Sequence, residues 1–91
     1  TVVPVEFALY QNYPNPFNPS TKIKYSVPTE SEVTIKLYDI LGKEVRSVVS
    51  SKHTPGNYEI VFNAGNLASG TYFYRIQAND FTQTKKLVIL K

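Results

Sequence analysis

Apolar and polar residues alternate with a period of two along most of this chain, and that alternation restricts its fold more than any other feature. In residues 22–27, Ile23, Tyr25 and Val27 point one way while Lys22, Lys24 and Ser26 point the other. Successive strand residues face opposite sides of a sheet, so such a segment forms a half-buried strand. Pro28 ends it. The scheme repeats in 32–38, with Val33, Ile35 and Leu37 inward and Thr34 and Lys36 outward, and in 58–63, with Tyr58, Ile60 and Phe62 on one face. Residues 7–11, 43–49, 71–78 and 82–90 read as further strands. No segment sustains the 3.6-residue period of a helix. Turn signals separate the runs: a tight Asp39-Ile40-Leu41-Gly42 loop with Gly42 free to take positive φ, a polar loop over 50–57 containing Pro55-Gly56, a corner over 63–70, and Asn79-Asp80. About seven short strands with turns roughly every eight to twelve residues predict an all-β fold, an Ig-like antiparallel β-sandwich.

One corner sharpens this expectation. Leu67-x-x-Gly70-x-Tyr72 has the layout of a tyrosine corner, in which a Tyr hydroxyl bonds back to upstream backbone. An ordinary buried Tyr after a turn glycine fits the same residues. A corner feeding a strand at Gly70 predicts positive φ there. The chain has no Cys and no Trp, so it is not an antibody-type domain.

Three prolines interrupt the pattern near the start, in the run YPNPFNPST. Proline fixes φ, removes a donor and pushes the preceding residue to extended geometry. Asn15 and Asn18 precede prolines and can close local turns. Pro14, Asn15, Pro16, Phe17, Asn18 and Pro19 are therefore expected to form a stiff ramp, bonded mainly to itself and outside the sheets. Residues 1–12 read as a linker with a short first strand, and 13–91 as the sandwich, with a single folded unit over 7–91.

Chemistry-bearing residues are sparse. His53 is the only histidine and sits in a polar stretch that predicts an exposed loop side chain. Without Cys or a second His the usual zinc sets fail. A Ser-His-Asp arrangement from His53 with Asp39 or Asp80 lacks a nucleophile elbow and an oxyanion loop. The acids are dispersed; Glu30 and Glu32 lie together at a strand start, where water is their expected partner. Neither a catalytic set, a cofactor site nor a metal site is expected. The net charge of +3 comes mainly from scattered lysines, with only Arg46 and Arg75 beside them, which argues against nucleic acid as a partner. No apolar run approaches the ~18 residues of a membrane span. Thr1 in place of Met suggests a processed chain or a fragment.

The last residues, Lys85, Lys86, Leu87, Val88, Ile89, Leu90 and Lys91, set four apolar side chains between lysines. Either Leu87 and Ile89 or Val88 and Leu90 face the core. The other pair then offers an apolar strip, and a terminal strand also invites pairing with another chain.

Five segments in order carry a resemblance: YPNPFNPST, LYDILGKEV, PGNYEIVF, LASGTYFYR and KKLVILK. Together they resemble the C-terminal sorting domain, type A, of type IX (Por) secretion cargo, over residues 7–91. The resemblance implies a non-catalytic last module of a larger precursor whose upstream cargo is carried through periplasm and outer membrane to the cell surface or medium. It implies type IX machinery and a sortase-like peptidase as partners, with cleavage in or before residues 1–6. Residues 85–91 would carry the recognition signal. Asp39, Gly42, Gly56, Gly70 and Tyr72 would hold the fold, with the proline run. Two other readings stay open: an assembly module that self-associates by strand addition or face packing, and a carbohydrate-binding accessory domain of a secreted enzyme.

Overall fold

The computed structural model describes residues 3–91; Thr1 and Val2, part of the expected linker and cleavage region, lie outside the described residues. Seven strands form two antiparallel sheets, the expected Ig-like sandwich: β1 (Ala8–Leu9), β2 (Ser20–Val27), β3 (Ser31–Tyr38), β4 (Glu44–His53), β5 (Gly56–Asn63), β6 (Gly70–Ala78) and β7 (Phe81–Ile89). One sheet has the order β1-β2-β5 and the other β4-β3-β6-β7, so β7 is an edge strand. The chain changes sheet at β2–β3, β4–β5 and β5–β6, and these crossings close the sandwich.

The alternation places the core. Ile23, Tyr25, Val27, Val33, Ile35, Leu37 and Phe62 are buried, as are Tyr72, Tyr74, Ile76 and Ala78 from β6 and Leu87 and Ile89 from β7. The polar side chains buried among them are bonded. Thr21 donates to the Pro14 carbonyl (2.8 Å), Ser26 to Asn57 Oδ1 (2.8 Å) and Ser31 to the Thr29 carbonyl (2.8 Å). Pairing with water is thereby exchanged for pairing within the fold, which burial of a polar group requires.

Two loops differ from expectation. Ser50 to His53 extend β4 instead of forming a loop, and only Thr54 and Pro55 separate β4 from β5. These polar residues pair with Ser31 to Thr34 on the free side of β3. An edge strand tolerates polar side chains because water reaches them, so pairing overrides the loop-like composition. His53 is accordingly no exposed loop residue. Its Nε2 lies 2.7 Å from the Tyr25 hydroxyl and its Nδ1 3.1 Å from the Ser51 carbonyl. A carbonyl only accepts, so Nδ1–H is the donor in that contact, and in the tautomer that carries only this proton Nε2 accepts the Tyr25 O–H. Tyr58 stacks on Tyr25 (5.5 Å) and meets His53 edge-on (4.6 Å), sealing this end. Nearby, Glu30 pairs with Lys52 at 3.6 Å, so it has a protein partner where only water was expected.

The corner before β6 has the predicted form. Gly70 has φ +149°. The Tyr72 hydroxyl donates to the Ala68 carbonyl at 2.8 Å. Tyr72→Phe should lower stability by roughly 1 to 2 kcal/mol. Chemical denaturation reads this directly, and an unchanged midpoint would show that the hydroxyl contributes nothing. The Asp39 turn is an Asx-type loop: Oδ1 accepts from the Leu41 and Lys43 amides (2.9 and 3.0 Å), and Gly42 takes φ +83°.

Candidate recognition surface at the terminal strand

The proline run is not self-contained. Phe17 forms a parallel bridge with Ile89: its amide donates to the Val88 carbonyl (3.1 Å) and its carbonyl accepts from the Leu90 amide (3.0 Å). Asn15 Oδ1 accepts from the Val88 amide (2.9 Å), and Gln11 Nε2 donates to the Lys86 carbonyl (2.7 Å). The segment also reaches the other sheet, through the Tyr13–Lys22 bridge and the Ala64 amide on the Pro19 carbonyl (2.8 Å). Prolines still keep it from becoming a regular strand, because each lacks an N–H. A single non-proline residue suffices to bridge, and Phe17 is that residue. Its ring is buried between the sheets, edge-on to Phe62 at 6.0 Å. The expected ramp is instead a clamp along the outer edge of β7.

A second tie runs beneath the clamp. The buried Tyr74 hydroxyl accepts from the Asn12 amide and donates to the Tyr10 carbonyl, both at 2.8 Å. Asn12 is 2% exposed and passes the connection on, its Nδ2 donating to Thr21 Oγ1 (3.1 Å) and the Pro14 carbonyl (3.2 Å). Burial pushes the Tyr74 hydroxyl up to about 12, against the opposing effect of the Asn12 amide. Burial, and then Tyr58 beside it, push Tyr25 up to about 12.

The clamp sorts residues 85–91 into different environments. Leu87 and Ile89 face the core, opposite Tyr72 and Gly70 of β6. Lys85 is half-buried beside the segment through Phe7 and Leu9. Lys91 turns back on the corner, its amide donating to Ser69 Oγ (3.0 Å) and its Nζ to the Gly65 carbonyl (2.9 Å). Only Lys86, Val88 and Leu90 point out from the sheet; Leu90 is 60% exposed and Val88 half-buried. Among the described residues the four ion pairs involve Lys22, Lys24, Lys36 and Lys52, and none involves Lys85, Lys86 or Lys91.

The outer face continues beyond the terminal strand. Phe73 lies opposite Lys86 on one side and Tyr38 on the other. Ile40 and Leu41 stand exposed at the β3–β4 tip, at 70% and 88%. Phe73, Tyr38, Ile40 and Leu41 were not singled out as site residues. The available signal was the run Thr71-Tyr72-Phe73-Tyr74, which is aromatic on both faces of one strand.

The fold and this surface define a small Ig-like sandwich that displays a clamped strand. The family model for the secretion system C-terminal sorting domain matches residues 11–90, and the chain belongs to that family. The match begins at Gln11, where the clamp begins, and runs to Leu90, so it takes in the clamp and the strand it holds. Membership makes the domain a type IX sorting domain, of a family that serves export to the cell surface or secretion and is in general non-catalytic. No curated protein matches the chain.

Proposed function

We propose that the folded sandwich is the export signal and that the type IX machinery reads the outward side chains of the terminal strand, Lys86, Val88 and Leu90. The clamp carries this reading. It occupies the outer backbone groups from the Lys86 carbonyl to the Leu90 amide, the groups that strand addition there would use. The strand is thus offered as a face, held in one register by Asn15 and Phe17, while Leu87 and Ile89 anchor it in the core. Upstream cargo in the same precursor would be carried by this module. A sortase-like peptidase would release it by cleavage in or before residues 1–6, ahead of the first strand, with cargo then freed or attached at the surface.

Deleting residues 85–91 tests this poorly, because it also removes Leu87 and Ile89 from the core. The informative variant is Lys86→Glu with Val88→Thr and Leu90→Ser, which leaves every core side chain in place. A Sec-targeted fluorescent reporter fused to residues 1–91 is expected to reach the surface or medium in a host with this export system. The triple variant, folded by circular dichroism, is expected to stay periplasmic. Equal export of both would show that this face is not read.

A further inference from the structure

We infer that the outer face of the β4-β3-β6-β7 sheet holds a docking pocket for an acidic protein segment, one presenting a large apolar side chain next to carboxylates. Between the β3–β4 tip and the sheet lies a concavity of about 320 Å³, lined by Tyr38, Ile40, Phe73, Arg75 and Thr84 with the Asp39 and Gly42 turn. Two aromatic side chains, Tyr38 and Phe73, line it together with Ile40, which the fold leaves 70% exposed. Apolar surface of this kind at a hairpin tip is not needed for the turn, because Asp39 and Gly42 alone close it. A recess of this size, lined in part by apolar side chains, suits one large side chain of a partner.

The charge around the pocket is net positive, with Arg75, Lys36, Lys43 and Lys86 set against Asp39 and Glu44. The Arg75 guanidinium lies over the Tyr38 ring at 4.9 Å and donates to its hydroxyl through Nη2 (2.9 Å). This fixes the plane of the fork and leaves further N–H groups directed to solvent, the arrangement that receives a carboxylate. Lys86 stands directly opposite Phe73, and exposed Lys43 flanks the tip. The two acids nearby are already engaged: Asp39 holds the turn amides, and Glu44 pairs with Lys36 at 3.4 Å. An incoming basic segment would meet like charge, so the complementary occupant is acidic. The pocket is distinct from the outward side chains of Val88 and Leu90, and binding to it is measured on the isolated chain, independently of export.

The test is titration of the isotopically labelled 91-residue chain with a capped hexapeptide carrying Leu-Phe between pairs of acidic residues. Saturable amide shifts are expected at Ile40, Phe73, Arg75 and Thr84. Affinity should fall about tenfold in Arg75→Glu and several-fold as salt rises from about 0.05 to 0.5 M. Ile40→Ser, at an exposed position, should weaken binding without changing the fold. The same peptide with lysines in place of its acids should not bind. Absence of saturable shifts, equal binding of the lysine peptide, or undiminished affinity in both variants would overturn the proposal.

Discussion

Replacing Phe17 by Ala is expected to lower stability by about 3 to 5 kcal/mol, the cost of truncating a fully buried aromatic. For a domain of this size that is a large share of a total near 5 to 10 kcal/mol. The ring is 2% exposed and meets Phe62 edge-on, so its removal leaves a cavity between the sheets. The effect should also be directional. The Phe17 carbonyl takes the Leu90 amide, and its neighbour Asn15 takes the Val88 amide, so the ring anchors the clamp on β7. Hydrogen exchange in Phe17→Ala should therefore accelerate at Val88 and Leu90 more than at Ile35 or Ile76 in the central strands. Uniform acceleration would mean that the clamp has no local stability of its own. A loss below about 1 kcal/mol would show that the sheets close over the vacated space.

Much of the core was legible because alternation is a local signal. Val33, Ile35 and Leu37 face inward where their spacing puts them, and all are buried. The Pro-rich segment was misread for the opposite reason. Local rules correctly bar it from a regular ladder, but they do not see that Phe17 meets Val88 and Leu90, some seventy positions away. The polar run from Ser50 to His53 failed similarly: its composition suits a loop, yet β3 supplies a partner, solvent accepts the side chains of Ser50 to Lys52, and His53 packs on Tyr25 and Tyr58. The choice between Leu87 with Ile89 and Val88 with Leu90 was undecidable from four consecutive apolar residues. Pairing with β6 decides it by setting Leu87 opposite Tyr72.

The candidate surface was legible only in part. The terminal segment was singled out, but its residues divide between core, corner and solvent according to contacts made by Asn15, Phe17, Ser69 and Gly65, none of which is near in sequence. Phe73 gave a faint signal, since outward positions of a one-sided strand are usually polar, and Arg75 gave none. Asn12 gave none: only the fold shows an asparagine sealed beneath the clamp with Tyr74 as its partner. Strand addition at the terminal edge, an attraction of the assembly reading, loses its backbone groups to that same clamp.

Alkaline pH should release this interior. Tyr25 and Tyr74 keep their protons up to about 12 in the folded chain, against 10.0 for an exposed tyrosine. Between those values the unfolded state has lost protons that the folded state retains, so stability falls as pH rises. It is intact below about pH 10, declines through the window from 10 to 12, and declines no further on this account above it. The rise from 10.0 to about 12 corresponds to at most about 2.7 kcal/mol per group, so the two together should remove roughly 2 to 4 kcal/mol. Urea midpoints across that window measure it. Tyr74→Phe should lose roughly 1 to 3 kcal/mol at neutral pH, because the Asn12 amide and Tyr10 carbonyl lose their partner. It should then show a shallower alkaline decline, since one of the two buried protons is gone. An equally steep decline in Tyr74→Phe would mean that the alkaline loss originates elsewhere, and that the hydroxyl beneath the clamp does not resist ionisation.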